Sequence, residues 1–232
     1  TMIQRYFNVE DLDGQYWSLA VEIAFYILVF VLYKLKQLKN TELILAAIVL
    51  VELGFMIARR IKEGPDAITY VAPSERYLRL FHFLPLFLAG ILFYKLYIEG
   101  PNLKRYLLLA LCFIAQVKEY PNRHVDMFDL RIGAYSCILG VFFILFILFV
   151  NNTARFIVNP ATLFLGRISY ALYLFHQYII IAFLIPYFNV ELQLPSFISC
   201  VFAIAIVVLV ATINTLFIDE PLRKKVKTAL LR

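Results

Sequence analysis

Long apolar runs broken by short polar segments set the pattern of this chain. A bilayer's hydrocarbon core takes about 20 apolar residues per helix, with a range of roughly 17–25. Seven runs approach or meet that length, over residues 16–33, 42–58, 81–98, 106–117, 133–150, 163–187 and 197–218. The fourth is short and fits a re-entrant or tilted segment, so the count of seven depends on it. Most runs are far too long for strands, and the alternation of membrane barrel strands, about 10 residues each, is absent. The predicted fold class is all-α: a polytopic transmembrane helical bundle.

The connections are polar. Residues 34–40 carry Lys34, Lys36 and Lys39, and residues 59–79 hold turn signals at Gly64 with Pro65 and Pro73 with Ser74. Gly100 with Pro101 breaks the third run from the fourth, 118–131 is mixed in charge, and 151–160 is rich in Asn. The tail ends RKKVKTALLR. No internal repeat, low-complexity linker or soluble domain interrupts the pattern, so residues 1–232 are expected to form a single transmembrane domain.

Composition narrows the class. Of 232 residues, 62% are hydrophobic and 16% charged, against about 45–50% and 25% in soluble domains. That excludes a disordered chain, an ordinary nucleic-acid binder and a small secreted scaffold, and makes the lipid bilayer the first expected partner. The net charge of +6 is spread in short clusters rather than in one nucleic-acid footprint. Cys112, Cys137 and Cys200 all lie in apolar runs, an odd set with no metal spacing, and are expected to be small apolar fillers. The opening TMIQRYFNVEDLDGQ is too polar for a cleavable signal peptide.

Charge asymmetry suggests an orientation. With residue 1 outside, 13 Lys/Arg fall on the inner side and 9 on the outer, while acids divide four and ten. The positive-inside rule then places the C-terminus in the cytoplasm. An outside start without a signal peptide is odd for a complete protein, so further sequence is expected before Thr1.

Ionisable groups at membrane depth cost at least about 2.5–3.5 kcal/mol each and point to function. In the first run Gln15, Ser18, Glu22 and Tyr26 recur at i, i+3 and i+4 on one helix face, and Tyr33 extends the stripe. A carboxylate and a hydroxyl one turn apart can orient a base or bind a sugar hydroxyl; a polar clamp between helices is the plainer alternative. In the sixth run Ser169, Tyr173 and His176 share a face, with Tyr170 and Gln177 beside it. Histidine suits proton transfer near neutral pH, although a structural role within a bundle is equally open. Glu52 lies mid-span with no partner evident from spacing. His82, behind Arg76 and Arg79, could hold an anion or simply mark the interface, and His124 sits in a polar loop. Asn214 and Thr215 are expected to bond to neighbouring helices. Asp219 and Glu220 are expected to cap the last span against the basic tail. P-loop, GxGxxG, HExxH, CxxC and GxSxG motifs are missing, so neither metal nor bound cofactor is indicated.

Four segments carry a family resemblance. YWSLAVEIAFYIL (16–28) is similar to a WSLxxExxFY signature and LGRISYALYLFHQ (165–177) to a G-x-ISYxxYLxH segment. FLPLFLAGILFY (83–94) matches a looser F-x-x-G span, and DEPLRKK (219–225) an E-x-P-basic ending. In this order and spacing they resemble the acyltransferase 3 family of integral-membrane acyltransferases. The resemblance implies an enzyme with a ten-helix core that moves an acyl group, often acetyl, from cytoplasmic acyl-CoA (acetyl-CoA) to a carbohydrate hydroxyl. Acceptors of that kind are cell-surface or exported glycans. It implies catalytic roles for Glu22, His176 and Ser18, and substrate contacts from Trp17, Tyr26, Ser169, Tyr170 and Tyr173. Acyl-CoA would be a donor substrate rather than a bound cofactor, and the location the cytoplasmic membrane.

Two departures stand out. The family's first helix carries an Arg followed about ten residues later by a His taken as catalytic base, and a basic arginine motif follows; neither lies in this chain. Gln177, not proline, follows His176. The expectation is therefore a C-terminal portion or a shortened member, about three helices short. A glycan or lipid transporter, whose paths are also lined by polar stripes, and an inactive truncated acyltransferase remain the alternatives.

Overall fold

A computed structural model describes residues 16–63, 80–120 and 131–230. No strand occurs among them. They gather into two compact units, one within Trp17–Arg155 and the other from Phe156 onward.

The first unit holds α1 (Tyr16–Lys34), α2 (Thr41–Glu63), α3 (Leu80–Glu99), α4 (Leu103–Glu119) and α5 (Ile132–Val150). On α3, Leu84, Leu88, Leu92 and Leu96 recur every fourth residue and are fully buried. They meet Leu45 and Val49 of α2 and Leu109, Cys112 and Ala115 of α4 in one cluster. Phe143 of α5 packs edge-on against Phe93 and Phe113, both at 5.6 Å, tying α5 to α3 and α4.

The α3–α4 link follows from three residues. Gly100 adopts φ +89°, a left-handed conformation that ends α3 without a Cβ clash. Its N–H donates to the Leu96 carbonyl at 3.1 Å. Pro101 cannot continue the helix, and Asn102 caps α4 by accepting from the Lys104 N–H at 2.9 Å. The result is a tight antiparallel hairpin.

The second unit begins with α6 (Pro160–Phe175), which continues through a π-helical stretch, His176–Leu184, into α7 (Ile185–Val190). It then turns into α8 (Ser196–Asn214), a π turn at Thr215–Asp219, and α9 (Glu220–Leu230). Asn159 starts α6: its Oδ1 accepts from the Ala161 and Thr162 N–H groups at 3.0 and 3.1 Å, while Thr162 Oγ1 accepts from the Asn159 N–H. Pro160 takes the first helical position, where its missing N–H is harmless. Ile168 and Ala171 bury against Ala211, and Leu184 against Ala203 and Val207, so small residues let α6 and α8 approach closely.

Among the described residues, five helices are long and apolar enough to cross a membrane: Leu38–Ala58, Leu80–Glu99, Ile132–Val150, Pro160–Val190 and Ser196–Ala229. The chain is an integral membrane protein. The expected seven exceeds this count. Helices do form over the first and fourth predicted runs, but α4 has 17 residues, about 26 Å of helix, shorter than the ~30 Å hydrocarbon core. α1 begins at the edge of the described residues.

Two further expectations are corrected. The last helix does not stop at Asp219 and Glu220; the π turn carries it through Pro221 to Leu230. Asn214 bonds within its own helix, Nδ2 donating to Asp219 Oδ2 at 3.1 Å, because five residues of π helix return the chain to the same side. Of the cysteines, Cys112 is buried, Cys200 half-buried and Cys137 exposed.

Candidate functional site

The two polar stripes belong to different units: Ser18, Glu22 and Tyr26 lie on α1 in the first, and Ser169, Tyr170, Tyr173 and His176 on α6 in the second. The side chain of Trp17, together with Gln15, Arg76, Arg79 and His124, lies outside the described residues.

On α1, Val21 is buried, and Ala24, Phe25 and Leu28 pack against the core of the first unit. Phe25 stacks on Phe87 of α3 at 4.1 Å, with the rings inclined by 13°. That contact sets the rotation of α1. Glu22 and Tyr26 stand one residue beyond Val21 and Phe25, about 100° round the helix, and both are exposed. The carboxylate is therefore presented by the helix rather than absorbed by the unit's core.

On α6, Ile168 and Ala171 face inward, which leaves Ser169, Tyr170 and Tyr173 outward. The Ser169 hydroxyl donates to the Gly166 carbonyl at 2.8 Å. His176 is half-buried, and its Nδ1 lies 2.7 Å from the Tyr173 carbonyl oxygen. A carbonyl can only accept, so Nδ1 carries the proton, and Nε2 is the acceptor nitrogen of the neutral ring. The Tyr173 and His176 rings lie 5.6 Å apart. His176 also opens the π-helical stretch, in which the Ile185 N–H reaches back five residues to the Ile180 carbonyl. Such stretches are rare and cluster at functional sites.

Charged side chains that spacing leaves unassigned find partners here. Glu42 of α2 takes Lys95 of α3 at 2.5 Å and Arg105 of α4 at 3.3 Å. Arg105 also pairs with Glu99. His82 of α3 meets Glu119 of α4, Nδ1 against Oε1, so its setting is a contact with a carboxylate rather than plain interfacial exposure. Also on α4, Gln116 is fully buried and donates through Nε2 to the Tyr135 hydroxyl at 3.2 Å, while its Oε1 has no hydrogen-bond partner among the described residues. In the second unit, Arg167 grips Glu220 with both arms, Nε to Oε1 at 2.5 Å and Nη2 to Oε2 at 2.7 Å. This replaces the expected cap against the basic tail. The sequence signals were charges near span ends; their partners, 53 residues apart in each of two cases (Glu42 with Lys95, Arg167 with Glu220), depend on which helices pair. No three His, Cys, Asp or Glu side chains gather in a metal-holding group among the described residues.

These observations define a helical membrane protein with polar stripes on two of its helices. The profile of the acyltransferase domain matches residues 4–214, and the chain belongs to the acyltransferase 3 family. The match takes in both polar motifs and ends before residues 219–225. The O-acetyltransferase OatA of Staphylococcus aureus strain NCTC 8325 is 28% identical over 237 residues, covering 95% of this chain and 38% of OatA. A protein of S. aureus strain COL with a provisional O-acetyltransferase name is 26% identical over 226 residues, covering 90% of this chain and 36% of its own length. The chain thus spans somewhat over a third of the length of these curated relatives. No solved structure matches.

Proposed function

We propose that this chain is the membrane domain of an O-acyltransferase that moves an acetyl group from acetyl-CoA to a hydroxyl of a cell-surface or exported carbohydrate. The observation that carries this is the family membership over residues 4–214; Ser18 and Glu22, and then Ser169, Tyr173 and His176, lie in the two segments that resemble the family's polar motifs. The O-acetyltransferase names of the relatives support acetyl as the group and oxygen as the acceptor atom.

In this transfer the acceptor O–H loses its proton, the new C–O bond forms, and the C–S bond to CoA breaks, with the thiolate leaving. A sugar hydroxyl is a weak nucleophile until its proton is held. The resemblance assigns that proton to the first-helix histidine, which these residues do not include; His176, with Nδ1–H on the Tyr173 carbonyl, offers Nε2 as an acceptor that positions groups or offsets charge. In the first unit, Glu22 and Ser18 are groups of the kind that orient a hydroxyl or offset charge where the dielectric is low, and Tyr26 offers aromatic surface. In the second unit, Tyr170 and Tyr173 offer aromatic surface of the kind that stacks on sugar rings, and Ser169 a polar edge. The Lys/Arg asymmetry supports an orientation with residue 1 outside and the C-terminus in the cytoplasm, where the donor is made. The assay is acetyl transfer by the purified full chain with acetyl-CoA and a glycan acceptor. Glu22→Gln and His176→Ala are each expected to lower the rate. Wild-type rates in both, at equal expression, remove these residues from the site.

A further inference from the structure

Arg167 stands at the middle of α6, and His176 follows its last residue, nine positions on and about 13 Å along the axis. Between them the contact with α8 is made by Ile168, Ala171 and Ala211, with Leu172, Phe175 and Val208 packed beside them. Apolar packing of this kind is non-directional, and the Arg167–Glu220 bridge adds a directional contact. Its two nearly parallel N–H···O bonds, at 2.5 and 2.7 Å, fix direction as well as distance.

Glu220 reaches this position because of the π turn. Thr215 is buried, continuing the inward stripe Ser199, Ala203, Val207, Ala211. In an α-helix the residue five further on would point about 140° away. Here the Glu220 N–H donates to the Thr215 carbonyl, an i+5 to i bond that returns Glu220 close to the same side. Without that turn, Asp219 would hold the place. Asp219 is instead bound to Asn214, across the same five-residue step.

We infer that Arg167 and Glu220 are positioning residues: their bridge, brought into register by the π turn at Thr215–Asp219, sets the rotation of α6 and hence the aim of Ser169, Tyr173 and His176. Beyond His176 the π stretch packs Leu184 on Ala203 and Val207, so the candidate face lies between two points of attachment, the Arg167–Glu220 bridge and this packing. The inference rests on the proposal above that this face takes part in acyl transfer.

The test uses the full chain in membranes and two independent readouts. The first is acyl transfer by R167E, E220R and R167E/E220R. Each single reversal is expected to lower kcat by about tenfold to a hundredfold, the scale of a misplacement near 1 Å, with both KM values within about twofold of wild type. The double reversal is expected to regain most of the loss. Single reversals at wild-type kcat, or a double no better than the worse single, overturn the positioning role. If a reversal fails to accumulate, Arg167→Lys, which keeps the charge but not the planar fork, carries the test; a drop of about threefold to tenfold is expected, and an unchanged kcat overturns the role. The second readout needs no activity. With Cys112, Cys137 and Cys200 replaced by alanine, cysteine pairs at 167/220 and 167/219 are treated with a short bifunctional thiol cross-linker. Faster linkage at 167/220 is expected; equal or reversed preference overturns the register. Full activity in His176→Ala would defeat the proposed function of the face, and with it the positioning role, while cross-linking still judges the register.

Discussion

The tautomer assigned to His176 makes a graded prediction. Replacement by Gln retains a polar group at about the reach of Nε2 but forfeits the bond to the Tyr173 carbonyl. Replacement by Asn does the opposite: its amide N–H can still meet that carbonyl, now 2.7 Å from Nδ1, but nothing stands where Nε2 was. A neutral hydrogen bond that orients a side chain is worth about 1 kcal/mol, or roughly fivefold in rate. A donor or acceptor aimed at developing charge is worth about 2.7–4 kcal/mol, or roughly 10²–10³ in kcat. His176→Gln should therefore lose about five- to tenfold, and His176→Asn about a hundredfold or more. His176→Ala should fall at or below the Asn variant. The assay is initial-rate acetyl transfer to a glycan at saturating donor, with expression normalised. An Asn variant as active as the Gln variant, or all three within about twofold of wild type, refutes the assignment of Nε2 as the working nitrogen.

Two further expectations concern the first unit. Glu42→Gln strips the counter-charge from Lys95 and weakens the hold on Arg105, which keeps Glu99. Because the pairs are only partly buried, the expected loss is about 1–2 kcal/mol, or roughly 2–8 °C in Tm for a chain of this size; a shift below about 1 °C in low-salt detergent would show the network to be idle. Gln116→Leu removes a buried carboxamide whose Oε1 has no hydrogen-bond partner among the described residues, so Tm should stay within about 2 °C of wild type or rise; a fall beyond about 5 °C would mean that the oxygen is held.

Much of the helix placement is legible from apolar run length, and two connections follow from local chemistry. Gly100, Pro101 and Asn102 spell out a helix stop and a helix start, and Asn159 with Pro160 spells out another start. The polar stripes are legible for the same reason, since few polar side chains stand in apolar sequence. The π segments are not. Their residues, HQYIIIAFL and TLFID, look like any apolar helix. The shift from i+4 to i+5 bonding is one that apolar spacing within a single helix does not encode. Glu220 illustrates the consequence: its neighbours Arg223 and Lys224 suggest a local cap, yet one altered turn delivers it to Arg167. Glu42, Lys95 and Arg105 likewise read as separate interfacial charges until the hairpin brings them together.

The short α3–α4 link bears on how the protein enters a bilayer. α4, with Lys104 and Arg105 at one end and Lys118 and Glu119 at the other, is a poor candidate for insertion alone. Three connecting residues, at most about 10 Å of extended chain, leave α3 and α4 no independent routes. They must partition as one helical hairpin, with the strongly apolar α3 drawing its weaker partner in. The charges of Lys95, Glu99 and Arg105 gather at the tip and hold it at the aqueous boundary. Biogenesis of this unit therefore hinges on a glycine: a residue that lengthened or straightened the link at Gly100 would uncouple the pair and strand α4 during synthesis.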